Sequence, residues 1–148
     1  MEGLKIVRLS SRRSLQPLPL IIVTGIQMYF YCYHCWSDFE EESDSCPKCG
    51  KELSSFSAWN FHDKLIHALD HPERLTLQRV IWIIGNLRLE KAVPTLSILS
   101  KNCQDFVIVS EIINTLIKIG STEAVKVVEE LSKHPSSIVR KYALEKLN

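Results

Sequence analysis

Ala92-Val93-Pro94-Thr95-Leu96-Ser97-Ile98-Leu99 returns 32 residues later as Ala124-Val125-Lys126-Val127-Val128-Glu129-Glu130-Leu131. Within each stretch Ala, Val and Leu recur at steps of three and four, the period of one apolar helix face. A second series runs beside the first. Val80, Ile112 and Ala143 align at intervals of 32 and 31 residues, with Thr76, Ile108 and Val139 four residues before them and Ile84, Leu116 and Leu147 four residues after. Recurrence at a fixed period of this length marks stacked helical units, each too small to bury its own apolar face.

The punctuation agrees with the period. His71-Pro72 and His134-Pro135 break the chain at equivalent turns, Gly85 stands near a helix end, and Gly120-Ser121-Thr122 offers a turn followed by capping hydroxyls. Six helices follow, at about Ser57 to Leu69, Glu73 to Leu87, Glu90 to Ser100, Asp105 to Ile119, Thr122 to Leu131 and Ser137 to Leu147. Short loops fold them into three antiparallel pairs, about the minimum that stands alone. The fold class is mainly α: a short α-solenoid of three helix pairs over residues 56–148.

The first third of the chain has another logic. Cys32-Tyr33-His34-Cys35 and Cys46-Pro47-Lys48-Cys49 are two pairs with two residues between their members, followed by Trp36 and Gly50 respectively. Such spacing lets two tight turns aim four thiolates at one metal ion. Pro47 fixes φ in the second turn, and Gly50 can take positive φ without a Cβ clash. The ten residues from Trp36 to Ser45 suffice for a small hairpin but hold no core, so metal binding is expected to fold residues 28–55. The reading is a structural zinc ribbon or knuckle with Cys32, Cys35, Cys46 and Cys49 as ligands. Iron in the same four-sulfur set, or a thiol–disulfide role for the cysteines, is the alternative. Thiolates kept for a metal imply reducing surroundings, so the cytoplasm is expected. Cys103 reads as a small, partly buried residue of an inter-helix loop.

Charge is unevenly spread. The whole chain of 148 residues carries a net +1 and is 45% hydrophobic and 24% charged, as an ordinary globular protein is. Residues 28–55 hold six acidic residues, Asp38, Glu40, Glu41, Glu42, Asp44 and Glu52, against Lys48 and Lys51. A metal ion with four thiolates would lower that charge by two more. Phosphate binding needs Lys and Arg to displace counterions, so this ribbon argues against a nucleic acid partner; the acidic run from Asp38 to Asp44 reads as a solvated loop tip, with a basic protein partner as the alternative. Residues 1–27 hold Lys5, Arg8, Arg12 and Arg13 against Glu2. Their apolar stretch from Leu15 to Ile26 is broken by Pro17 and Pro19 and is too short to span a bilayer. They read as a weakly packed tail, with Met28 as an alternative start and no membrane segment.

The phrases Ile84-Gly85-Asn86-Leu87 followed by Ala92-Val93-Pro94-x-Leu96, Lys118-Ile119-Gly120-Ser121-Thr122-Glu123-Ala124-Val125, and Ile138-Val139-Arg140-Lys141-Tyr142-Ala143-Leu144 resemble HEAT-like repeats, the short class named after phycobilisome lyases. The likeness runs over residues 57–148. Leu77 and Val109 stand where Arg140 keeps the arginine of that pattern, and Phe61-His62 where the other pairs have Ala-Val. The resemblance implies a solenoid that binds other macromolecules, with the second helix of each pair lining a concave face. A polar stripe there passes through Gln78 and Trp82, Ser110 and Asn114, and Lys141 and Glu145, with Arg79 and Lys118 at its flanks; Gln78, Trp82, Ser110, Asn114 and Lys141 are the candidate contacts. Trp82 is the anchor candidate, because tryptophan dominates interface hot spots; packing against a neighbouring helix or the ribbon is the other reading of it.

His67 and His71 lie one helical turn apart and are weighed as metal ligands. The return of His71-Pro72 as His134-Pro135 makes this histidine a loop feature instead. His34, between two cysteines, is expected to be exposed. No nucleophile with an adjacent base and no glycine-rich phosphate loop is present in the sequence. The expected function is a non-enzymatic protein-protein interaction adaptor, with no catalytic residue assigned. A nucleic-acid-associated ribbon and a lyase-like enzyme handling a tetrapyrrole are the alternatives. Neither the partner nor the oligomeric state follows from the sequence.

Overall fold

A computed structural model describes residues 29–148; the readings made for residues 1–27 and for Met28 lie outside the described residues. Among the described residues the α-helices are α1 Phe61–His67, α2 Arg74–Asn86, α3 Val93–Asn102, α4 Phe106–Ile119, α5 Thr122–Leu131 and α6 Ser137–Leu147. They form two layers. The second helices α2, α4 and α6 pack side by side; α3 lies between α5 and the 3-10 turn Ala68–Asp70 that continues α1.

The second helices α2 and α4 are capped at their starts by acidic side chains, whereas Ser136 at the start of α6 makes no side-chain cap. Asp105 accepts from the Val107 N–H at 2.9 Å, and Glu73 takes the N–H groups of Leu75 and Thr76. Ser121 does the same for α5, accepting from Ala124 N–H at 3.2 Å. The two His-Pro turns are identical in construction. His71 Nδ1 accepts from Glu73 N–H at 3.0 Å, and His134 Nδ1 from Ser136 N–H at 3.1 Å, so this histidine is a turn-former repeated with the scaffold.

The periodic residues meet in one core. Ile81, Ile84, Ile112, Ile113, Leu116 and Val128 are completely buried, with Val80, Ile108, Val139 and Ala143 among their buried neighbours. Central α4 is covered on most sides, which is why its sequence is so nearly continuous in apolar residues.

Two local expectations are corrected. The first helix does not begin at Ser57: a 3-10 turn Ser54–Ala58 comes first, and α1 starts after Asn60, whose side chain caps Asp63 N–H at 2.9 Å. Asn60 is the stronger cap, and Phe56 before it is drawn into contact with the ribbon. Nor is Gly85 a helix terminator. It lies inside α2 and is buried, because α4 passes so close that an added Cβ would meet Thr115 Oγ1 at 2.9 Å. Thr115 Oγ1 meanwhile donates to the Ile81 carbonyl at 3.1 Å, tying the two helices at their closest approach. The end of α2 falls instead to Arg88, in left-handed backbone at φ 49°, where Arg88 N–H and Leu89 N–H reach back to the carbonyls of Gly85 and Ile84.

Candidate metal centre and interaction face

The cysteines sit on two hairpin-like turns of the same design. Strand β1, Phe30–Tyr31, pairs antiparallel with β2, Asp38–Phe39, and encloses the first pair; a single bridge between Ser45 and Glu52 encloses the second. In the first turn Trp36 N–H donates to the Cys32 carbonyl at 2.8 Å, and in the second Gly50 N–H donates to the Cys46 carbonyl at 2.8 Å. Both closing residues have positive φ, 59° for Trp36 and 72° for Gly50. Glycine takes that conformation freely; tryptophan does so against a steric cost.

The two turns bring all four Sγ atoms within 4.8 Å of one another, an arrangement that can hold a metal ion. Cys32 Sγ lies 3.6 Å from Cys49 Sγ, and Cys35 Sγ 3.7 Å from Cys46 Sγ. A tetrahedron of sulfurs about 2.3 Å from a central zinc has edges of about 3.8 Å, close to these two separations, so the donor set is compatible with such an ion. Backbone donors surround it: His34 N–H points at Cys32 Sγ (3.3 Å), and Lys48 N–H and Cys49 N–H at Cys46 Sγ (both 3.4 Å). Burial pushes the Cys32 thiol up to about 11. Burial also acts on Cys46, but the N–H groups of Cys49 and Lys48 outweigh it and bring that thiol down to about 6. The Ser37 hydroxyl, 2.9 Å from Cys35 Sγ, lowers Cys35. His34 is exposed, as its place between ligands predicts. Cys103 caps α3 and is half-buried.

Aromatic residues join the four-cysteine segment to the first helix. Tyr33, only 6% exposed, stacks on Phe56 at 4.5 Å between ring centres. His67 Nε2 lies 2.6 Å from the Tyr33 carbonyl oxygen, and its ring stacks on Trp36 at 5.3 Å. His71 meets Trp36 edge-on at 4.6 Å, and Trp59 packs edge-on against His67 at 5.4 Å. His67 and His71 thus belong to an aromatic joint. Trp36 is held in its unfavourable backbone region by the helix it packs against.

The five candidate contacts lie on the second helices α2, α4 and α6. Trp82 is 54% exposed, Lys141 is exposed, and Gln78, Ser110 and Asn114 are half-buried. Ser110 Oγ donates to the Val107 carbonyl at 2.9 Å, and Asn114 Oδ1 accepts from Tyr142 Oη at 3.0 Å, so these two polar groups have partners within the stack. A row of apolar residues runs through the same face. Leu75, Val107 and Ile138, at equivalent places in three successive second helices, are 57%, 44% and 53% exposed. The intervals that align Val80, Ile112 and Ala143 also align these three, so the signal was present in the sequence; their position beside the polar stripe hid it.

Residues 62–148 match the family described as HEAT repeats, which is more than half of the chain. The chain belongs to that family. HEAT repeats are generally protein-interaction scaffolds. No curated protein and no solved structure matches the chain. Among the described residues no helix is long and apolar enough to cross a membrane.

Proposed function

We propose that this chain is a non-enzymatic adaptor whose helical stack, residues 56–148, docks a protein partner on the face formed by α2, α4 and α6. A four-cysteine zinc module, residues 28–55, is clipped to its first repeat. The observation that carries the reading is the exposed apolar row Leu75, Val107 and Ile138 beside Trp82. Three equivalent apolar side chains left in water by three successive helices have no role in the core. Trp82 is the anchor of the surface, with Gln78, Ser110, Asn114 and Lys141 around it as polar contacts.

Zinc is the proposed ion because four thiolates in closed tetrahedral order suit a structural zinc site, whereas a catalytic one keeps a position open. The cytoplasm is the proposed compartment, since thiolate ligands persist in reducing surroundings. Elemental analysis of the purified chain tests the ion: about one zinc per chain is expected, and iron in its place would replace zinc in the reading. The docking face is tested by affinity capture from the native cells with the wild-type chain and with Trp82→Ala/Val107→Ser. A partner retained by the first and lost by the second, at unchanged helical circular dichroism, is expected. Equal retention by both chains sinks the assignment of the face.

A further inference from the structure

The metal module has a surface of its own that neither the helix face nor the metal accounts for. Between the β1–β2 hairpin and the chain leading to α1 lies an open groove of about 390 Å³. Aromatic and aliphatic residues line it, among them Phe30, Phe39, Leu53 and Phe56, together with serines and the acidic residues Glu42 and Asp44. Tyr31 is 69% exposed at its mouth. Among the described residues the three ion pairs, Arg74–Asp105, Lys91–Asp63 and Lys101–Glu130, all bring helical or helix-capping residues together, and none of them involves Glu42 or Asp44.

We infer that this groove takes a basic peptide segment of another protein, one that alternates Lys or Arg with apolar residues. The occupant follows from complementarity. An apolar lining alone would accept any greasy side chain, but residues 28–55 carry six acidic against two basic residues, and four thiolates around a divalent ion make the module more negative. Acidic and neutral apolar segments are therefore repelled or unaided, while a cationic one is steered in. A guanidinium or ammonium group entering the groove meets acidic residues and aromatic rings in one lining, the two surroundings that favour it most. One groove-lining ring already accepts a cation from within the chain: Lys64 Nζ lies over the Phe56 ring, 5.0 Å from its centre. The groove is separate from the α2–α4–α6 face, so the two surfaces offer two independent attachments.

The test uses the full metal-loaded chain and a fluorescein-labelled decapeptide of alternating arginine and leucine, followed by anisotropy. A matched glutamate–leucine peptide and a decalysine serve as comparisons. The arginine–leucine peptide is expected to bind most tightly, decalysine more weakly for lack of apolar contact, and the glutamate–leucine peptide not at all. Glu42→Gln/Asp44→Asn should weaken the first by about five- to tenfold, and raising salt from about 50 to 200 mM should weaken it further. Tyr31→Ala, at an exposed position with no core role, should weaken it several-fold without changing metal content. Equal binding by the neutralised chain, or equal uptake of the glutamate–leucine peptide, overturns the inference. So does a dimer that dissolves in Glu42→Gln/Asp44→Asn and excludes the peptide, which would give the groove to a second copy of this chain.

Discussion

The two halves of the described chain reach order by opposite means. The helical stack repeats one apolar pattern three times and buries it in a continuous core running from Leu65 to Ala143. The four-cysteine module contributes Cys32, Tyr33 and Cys46 as its buried apolar residues, and Tyr33 is buried against the approach to the stack. Order in the stack is spread over many interchangeable contacts; order in the module is concentrated in four sulfurs. Distributed burial tolerates single changes at modest cost, whereas a shared metal centre fails as a unit when one ligand is lost.

The sharpest way to break this comparison is to remove the metal. Cys46→Ser, or treatment of the wild-type chain with a strong chelator, should abolish metal binding and unfold residues 30–52. Structural zinc sites contribute about 10 kcal/mol or more to the folding of small modules. Acid should do the same, because ligation requires thiolates and falling pH protonates them. Trp36 and Trp59 lie in the joint between module and stack, so tryptophan fluorescence should shift while the helical signal at 222 nm persists. Collapse of that helical signal as well would mean that the module holds the stack together, and the division drawn above would fail.

The same division decides what the sequence made readable. A period of 31 to 32 residues projects directly onto helix pairs, since each apolar position is used again in the same way; five of the six helices begin or end within a few residues of expectation. The cysteine pairs were equally legible, because a two-residue spacing nearly determines the turn. The joint was not. Contacts such as His67 to the Tyr33 carbonyl link residues 34 apart, outside any repeat, and carry no period. Gly85 misled for a related reason. Glycine reads locally as a terminator, yet here its missing side chain is required by α4, some thirty residues further along.

Gly85 therefore supplies a second, smaller test, aimed at the stack alone. Gly85→Ala raises intrinsic helix propensity but drives a methyl group to 2.9 Å from Thr115 Oγ1. Overpacking at such a contact costs about 1–3 kcal/mol. A lower denaturation midpoint with unchanged metal content is expected. Gly85→Ala/Thr115→Ala should be less harmful than the two single changes combined, because the methyl group then has room. Stabilisation by Gly85→Ala would show that the helices separate more easily than their packing implies.

The smallest effect compares the two regions through one backbone feature. Trp36 and Arg88 are the non-glycine residues at positive φ among those described, and each has a glycine counterpart: Gly50 closes the other cysteine turn at φ 72°, and Gly120 ends α4 at φ 68°, one repeat beyond Arg88. The left-handed backbone at Arg88 closes α2, but its exposed side chain is not needed for that, so Arg88→Gly keeps the closure and should stabilise the stack by up to about 1 kcal/mol, as relief of left-handed strain does. Trp36→Gly relieves the same strain but deletes the ring that stacks on His67 and meets His71. It should leave the metal in place and loosen the module from the stack, seen as faster amide exchange in α1. If both glycine variants instead stabilise the chain equally, the joint contributes little, and module and stack are merely tethered.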